Sequence, residues 1–119
     1  MSNTQQLVDA IVKGIQEKKG NDITVIGLSE IEGAICNSFV ICQGNSPTQV
    51  EAISDSVYDT VSADAGEKPV KVIGLPAAQW VAMDYIDVIV HIFVPELRGF
   101  YNLEGLWADG KIEHPSIID

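Results

Sequence analysis

The stretch SFVICQGNSPTQV, residues 38–50, decides the fold of this chain. Its first six residues, Ser38 to Gln43, form a near-continuous apolar run of strand length, which indicates a strand inside a covered sheet. A glycine and an asparagine then break the run. Ser46, Pro47 and Gln49 follow in the order of an N-cap, a first-turn proline and a capping-box partner. The stretch therefore predicts a buried strand that leads directly into a helix.

Helical spacing marks a second helix before this strand and the length of the helix after it. From Thr4 to Lys19, apolar residues recur at helical spacing, and they are Leu7, Val8, Ile11, Val12 and Ile15. Ser2 and Gln5 have the spacing of a capping box, and the two lysines before Gly20 suit a helix end followed by a left-handed cap. The helix after Pro47 has its own apolar stripe and should end before Gly66.

Four further strands and a short helix complete the predicted elements. The strands are expected at Asp22 to Leu28, Val70 to Ile73, Gln79 to Tyr85 and Asp87 to Val94, the last two as a hairpin. Pro95 opens the short helix. This order of elements predicts an α/β fold with a mixed sheet and helices packed against it. We expect one domain over residues 1–109 and a flexible tail over residues 110–119.

Alternation along the hairpin assigns its residues to faces of the sheet. Trp80, Ala82 and Asp84 fall on one face, and Val81, Met83 and Tyr85 fall on the other. In the following strand Ile89, His91 and Phe93 share a face. Tyr85 lies at the predicted hairpin tip, where we expect its side chain to be exposed.

Composition and charge exclude several classes of protein. No apolar run approaches the roughly 18 residues that cross a bilayer, and residues 1–6 lack a basic stretch before an apolar one, so we expect a cytoplasmic chain. The formal charge of −10 has the wrong sign for gripping a phosphate backbone, but it suits solubility or steering toward a basic partner. Cys36 and Cys42 fit neither a disulfide framework nor a CxxC motif, so we expect reduced thiols.

Two catalytic hypotheses compete with simpler structural readings. Gly44-Asn45-Ser46 could cradle a phosphate at the helix start, or it could be only a turn and a cap. Cys42, His91 and Asp84 could supply a nucleophile, a base and its orienter, or His91 could be a core histidine. Metal-assisted phosphoryl transfer requires a pair of carboxylates on one strand face, and no such pair occurs here. No metal-ligand spacing occurs either, so we expect no cofactor and no metal.

The segment from Trp80 to Trp107 concentrates residues that protein interfaces favour. It holds both tryptophans, two of the three tyrosines, two of the three phenylalanines and the only arginine. The same residues could equally fill the core of a small domain. The segment is therefore a candidate interface whose individual contacts stay open.

This segment resembles the Iojap-related ribosomal silencing factor family. The matching residues are Trp80, Asp84-Tyr85, Asp87, His91-Ile92-Phe93, Arg98, Phe100-Tyr101, Leu103-Glu104 and Leu106-Trp107. The likeness extends back through Asp22-Ile23, Phe39-Val40-Ile41, Gly44 and Ser46, and covers about Thr4 to Asp109. One departure is Ile86, which stands where the family usually has glycine.

The resemblance implies a fold, a function and a set of contact residues. The fold would be nucleotidyltransferase-like without the catalytic carboxylates. The chain would not be an enzyme, but would bind the large ribosomal subunit through its basic ribosomal protein number fourteen, block joining with the small subunit and lower translation when nutrients are scarce. The implied partner-binding residues are Trp80, Asp84, Tyr85, Asp87, Arg98, Tyr101, Leu103, Glu104 and Trp107. Nucleotide-binding or transferase activity and a homodimer through the aromatic segment remain the alternatives.

Overall fold

The computed structural model describes residues 4–31, 33 and 36–115. The helices are α1 (Thr4–Glu17), α2 (Pro47–Ala65), α3 (Pro95–Tyr101) and α4 (Leu103–Leu106). The strands are β1 (Asn21–Gly27), β2 (Ser38–Gln43), β3 (Lys71–Ile73), β4 (Trp80–Asp84), β5 (Val88–Phe93) and β6 (Lys111–Glu113). Each element predicted from the sequence is present within two residues of its expected bounds, with α4 and β6 in addition.

The strands form one mixed sheet in the order β3-β4-β5-β2-β1-β6. β2 and β5 are parallel, and the other neighbouring strands are antiparallel. The stretch that opens the sequence analysis supplies β2 and the start of α2. All but one of the β2 residues are buried, as its apolar run predicted. The predicted mixed sheet with flanking helices is confirmed.

One face of the sheet, called here the helix-covered face, packs against α1 and α2. The two helices lie close together because α1 has Gly14 at their contact, where an added Cβ would lie 2.9 Å from the Cα of Val57. The Ser56 hydroxyl also donates a 2.8 Å hydrogen bond to the Gly14 carbonyl. Aliphatic side chains from both helices and from β1, β2, β4 and β5 fill the layer between helices and sheet.

The opposite face, called here the C-terminal face, is covered by α3, α4 and the segment that follows them. Its buried core is smaller and contains two phenylalanines, Phe39 and Phe93, beside Ile26, Leu28 and Ile41. Leu103 and Trp107 pack against this core without being fully buried. The sheet thus separates a large aliphatic core from a small aromatic one.

The ends of the long helices follow the predicted chemistry with one correction. At the start of α2, the Ser46 side chain accepts from the Gln49 amide, and Gln49 Oε1 accepts from the Asn45 amide at 2.7 Å. α2 has 19 residues; no helix in the described part of the chain is long and apolar enough to cross a membrane. The left-handed residue after α1 is Lys19, with φ 58°, and not Gly20.

Gly20 is needed for space and not for its backbone angle. A Cβ at this position would lie 2.3 Å from Cγ2 of Ile15, so the chain turns one residue earlier. The capping box predicted from Ser2 lies outside the described residues.

The sequence analysis placed residues 111–113 in a flexible tail. These residues form β6, which pairs antiparallel with β1 and matches Ile26 with Ile112. Without β6, the outer edge of β1 would present unpaired backbone groups, which sheet edges tend to cover. The segment that leads into β6 passes close to the end of β1 at Gly110, where an added Cβ would lie 2.8 Å from the Gly27 carbonyl oxygen.

Candidate partner-binding surface

Aromatic rings run across the C-terminal face from its core to its surface. The Trp80 ring stacks on Phe93 with a centroid distance of 5.0 Å and contacts Tyr101 at 4.5 Å. Phe100 meets the edge of Tyr101 at 5.1 Å. Because the inner rings are fixed in the core, the outer rings are held in defined positions.

The outer end of this series of rings is exposed. Phe100 is 78% exposed and Tyr101 is 41% exposed, while Trp80 is half-buried between them and the core. We call Trp80, Phe100 and Tyr101 the aromatic patch. Leu106 on α4 is also 73% exposed. Contiguous exposed apolar surface of this kind commonly marks an interaction site.

The aromatic patch continues onto the uncovered end of the sheet. Ile73 of β3 lies opposite Ala82 of β4, and Lys71 lies opposite Asp84. Alternation puts all four side chains on the same face as Trp80. Ile73 is 54% exposed, and Ala82 is half-buried. The candidate surface therefore combines aromatic side chains from α3 with a short, open piece of sheet.

His91 of β5 accepts a hydrogen bond from the Trp80 indole. Trp80 Nε1–H donates to His91 Nδ1 at 3.1 Å, so Nδ1 carries no proton and the neutral ring has its proton on Nε2. His91 is 7% exposed, and Nε2 is buried without a hydrogen-bond partner among the described residues. Burial lowers the pKa of His91 to about 4. The core-histidine reading is thus confirmed, with one ring nitrogen left unsatisfied.

Arg98 joins the two short helices to the sheet. Its Nε and Nη2 donate to the two carboxylate oxygens of Glu104 at 2.9 and 3.1 Å. Nη2 also donates to the Thr24 hydroxyl at 3.1 Å, and Nη1 donates to Gln43 Oε1 at 3.3 Å. We call Arg98, Glu104, Thr24 and Gln43 the Arg98 clamp. The hydrogen bonds from Arg98 lower the pKa of Glu104. A surface depression of about 480 Å³ lies beside the clamp and is partly lined by it.

The expectation that Tyr85 is exposed is wrong. Its side chain is 3% exposed and lies on the helix-covered face, where alternation places it after Val81 and Met83. Within the part of the chain that the structure describes, its hydroxyl is buried without a hydrogen-bond partner, and burial raises the pKa of Tyr85. Ile86, 64% exposed, occupies the tip instead. The face assignment was right, but the tip of the hairpin begins one residue later than expected.

The hairpin turn has a strained residue at its tip. The Tyr85 amide donates to the Val88 carbonyl, which leaves Ile86 and Asp87 as a two-residue loop. Ile86 has φ 73°, a region that β-branched residues avoid. Asp84 accepts from the Ile86 amide at 2.7 Å. Asp84 therefore precedes the two-residue loop, and Asp87 lies within it and is exposed.

The nine partner-binding residues named from the sequence thus divide into three groups. Trp80 and Tyr101 belong to the aromatic patch, and Asp84 and Asp87 lie at the hairpin near it. Arg98 and Glu104 bond to each other, while Leu103 and Trp107 pack on the C-terminal core, Trp107 against Phe39 at 5.8 Å. Tyr85 lies in the other core.

The nine partner-binding residues leave out three exposed apolar residues on this face, Ile73, Phe100 and Leu106, although the last two are among the residues that carry the family resemblance. Helical spacing could have indicated that Phe100 is exposed. Leu97 and Tyr101 are four residues apart and face the sheet, which leaves Phe100 on another side of the helix. Ile73 lies two residues after Lys71 in the same strand, so the two side chains point to the same face, and the charge of Lys71 indicated that this face is open. No sequence signal separated Leu106 from the buried leucines.

The catalytic hypotheses find no support in the geometry. Cys42 and His91 lie on opposite faces of the sheet, because Cys42 pairs with Ile92 and His91 pairs with Ile41. Burial also raises the pKa of the Cys42 thiol to about 12, so it is not a thiolate at neutral pH. The Gly44 amide donates to Phe93, and the Asn45 amide to Gln49. The turn before α2 is therefore a cap in which the amides of Gly44 and Asn45 already have acceptors.

Comparison with known proteins gives a consistent set of matches. The family model described as "Ribosomal silencing factor during starvation" matches residues 1–118. A protein of Halalkalibacterium halodurans named ribosomal silencing factor RsfS is 37% identical over 109 residues, covering 92% of this chain and 91% of that one. The chloroplastic protein Iojap of Zea mays is 32% identical over 110 residues, covering 89% of this chain and 46% of that one. A crystal structure from Chromobacterium violaceum superposes with a TM-score of 0.85 at 28% identity, covering 99% and 94% of the two chains.

Proposed function

The chain belongs to the ribosomal silencing factor family, and on this premise we propose that it binds the large ribosomal subunit through the aromatic patch and the open end of the sheet. The partner on that subunit is ribosomal protein number fourteen. Binding there blocks joining with the small subunit and represses translation when nutrients are scarce.

The exposed aromatic patch carries this proposal. Tryptophan and tyrosine are the side chains that most often dominate binding energy at protein interfaces. Trp80 and Tyr101 contact each other and both stack on Phe93, so their ordering costs little when a partner binds. Exposed Phe100 and Ile73 extend the apolar contact on either side.

The charge around the patch supports a basic partner. The chain carries −10 overall, and Asp84, Asp87 and Glu96 lie at the hairpin and at the start of α3, close in sequence to the patch. Opposite charge accelerates encounter and orients the partners, while the buried apolar contacts determine how long the complex lasts. A basic ribosomal protein fits this arrangement better than RNA, whose phosphates would be repelled.

We further propose that the chain is a cytoplasmic regulatory protein and not an enzyme, with a nucleotidyltransferase-like fold that lacks the catalytic carboxylates. No cluster of three or more metal-binding side chains occurs among the described residues, and phosphoryl transfer assisted by two metals requires such a set. The names of the relatives describe regulators.

Sedimentation with purified ribosomal particles tests the proposal. The protein should pellet with free large subunits, and not with small subunits or joined ribosomes. Prior addition of the protein should reduce the light-scattering increase that accompanies subunit joining. Equal pelleting with joined ribosomes, or joining that proceeds unchanged when the large subunit is saturated, would contradict it.

A further inference from the structure

The helices that carry the outer part of the aromatic patch are poorly anchored by packing. α3 and α4 have seven and four residues, and neither contains a fully buried residue. Helices this short are not stable by themselves in water, so their orientation must come from contacts with the sheet. Leu97 and Leu103 supply part of these contacts but are only partly buried.

The Arg98 clamp adds polar contacts between these helices and the sheet, beside the ring contacts of Tyr101 with Trp80 and Phe93. Arg98 belongs to α3, Glu104 to α4, Thr24 to β1 and Gln43 to β2. The side chain of Arg98 is only 11% exposed, and its three nitrogens all donate to acceptors within the chain. A guanidinium whose nitrogens are engaged in this way has little to offer a partner.

We infer that Arg98, Glu104 and Thr24 are positioning residues, which hold α3 and α4 in the orientation that presents Phe100 and Tyr101 to the large subunit without touching the partner themselves. This inference rests on the proposed function. It reassigns Arg98 and Glu104, which the family resemblance implied as direct contacts, to a role beneath the surface.

The geometry explains why this position holds the only arginine of the chain. A guanidinium is a planar fork that can bind both oxygens of one carboxylate and still reach other acceptors. At this site it meets acceptors from three elements at once. A lysine ammonium is a single point of charge and cannot hold Glu104, Thr24 and Gln43 together in fixed directions.

Thr24→Val is the most informative variant, because Thr24 is 1% exposed and cannot contact a partner. It keeps the shape of the side chain and removes the hydroxyl that accepts from Arg98. That hydroxyl also contacts Glu104 Oε2 at 3.5 Å and His114 Nδ1 at 3.3 Å. We expect dissociation from large subunits to become about fivefold faster, which is the size of one net hydrogen bond. Hydrogen exchange should also accelerate at the amides of residues 97–107.

Ser54→Ala is the matched control. It removes another buried hydroxyl, 3% exposed, on the helix-covered face. It should change neither the dissociation rate nor the exchange at residues 97–107. A similar response of both variants would mean that general destabilisation, and not the clamp, weakens binding, and the inference would fail.

A double-mutant cycle between Arg98 and the patch separates positioning from direct contact. Arg98→Lys should weaken binding about tenfold or more, since charge alone does not replace the fork. In a chain that already carries Phe100→Ala and Tyr101→Ala, the same change should have less than about a twofold effect, because nothing is left to position. Additive losses, or full binding by Arg98→Lys, would overturn the inference.

The exchange measurement remains decisive even if the chain does not bind large subunits. In that case the proposed function fails, while exchange at residues 97–107 of Arg98→Lys and Thr24→Val still tests the clamp. Unchanged exchange in both variants would reject the positioning role by itself.

Discussion

The two faces of the sheet are built from the same strands but differ in side-chain type, in the length of the helices that cover them and in burial. On the helix-covered face, aliphatic residues from the sheet meet two long helices and are almost completely buried. On the C-terminal face, aromatic rings meet two short helices, and the outermost rings remain exposed. β4 shows the contrast within one strand, since Val81 and Met83 are buried while Trp80 and Ala82 are half-buried.

This difference indicates that one face mainly stabilises the fold and the other mainly binds a partner. Burying large aliphatic area gives the helix-covered face most of the stabilisation, at roughly 25 cal/mol per Å² of apolar surface. The C-terminal face leaves apolar area available to a partner and holds it in place with a few polar contacts. Variants on the first face should therefore act on stability, and exposed residues on the second should act on binding.

Tyr85→Ala should have the largest effect on stability. Tyr85 lies on the helix-covered face at 3% exposure, so truncation should cost about 3–5 kcal/mol of unfolding free energy. Tyr85→Phe is the control: it removes only a buried hydroxyl without a partner, and should be neutral or stabilising. Urea unfolding of both variants measures this. A Tyr85→Ala protein as stable as the wild type would mean that the tyrosine is not in the core.

Acidification should destabilise the chain through His91. Its folded pKa is about 4, below the usual value of about 6.5, so the unfolded chain takes up the proton first as the pH falls. Stability should therefore decrease between about pH 6.5 and pH 4, by about 3 kcal/mol in total.

His91→Gln keeps an acceptor for Trp80 but does not titrate. The difference in unfolding free energy between wild type and His91→Gln should change over this pH window and be constant above it. Parallel curves for the two proteins from pH 7 to pH 4 would contradict the assignment. The lowered pKa of Glu104 removes stability at still lower pH, and contributes equally to both proteins.

Ile86→Gly should stabilise the chain by about 1 kcal/mol. Left-handed backbone costs a residue with a Cβ roughly 1–2 kcal/mol, and part of that gain is offset by the greater freedom of glycine when unfolded. Ile73→Gly is the matched control, an exposed isoleucine in a strand, and should destabilise. A melting temperature that falls for both variants would show that φ 73° at Ile86 is not strained.

The division between the faces also explains what the sequence could predict. Helical periodicity located α1 and α2, because residues buried on one side of a helix repeat every 3.6 positions, and short apolar runs bounded by turn residues located the five main strands. It also assigned Tyr85 to the correct face. The exposure of Tyr85 was misjudged because the turn begins at Ile86, whose β-branched side chain gave no signal of positive φ.

On the C-terminal face the sequence could not separate core from surface. Trp107 and Phe100 both lie in an aromatic-rich segment, yet one packs on Phe39 and the other is 78% exposed. The Arg98 clamp joins residues up to 80 positions apart in sequence, and no local pattern encodes such contacts. β6 was missed because it has only three residues, all of them exposed, and three residues are too few to show an alternating pattern.

Tyr101 and Tyr58 allow the central claim to be tested with a matched pair. Both are exposed tyrosines, at 41% and 39%, but Tyr101 lies on the C-terminal face and Tyr58 on α2. The measurement is the affinity of Tyr101→Ala and Tyr58→Ala for purified large subunits, with both variants shown to melt close to the wild type. Our account predicts that Tyr101→Ala binds about 30-fold more weakly, the effect of an interface anchor worth about 2 kcal/mol, and that Tyr58→Ala stays within about twofold. Wild-type affinity for Tyr101→Ala, or a greater loss for Tyr58→Ala, would contradict it.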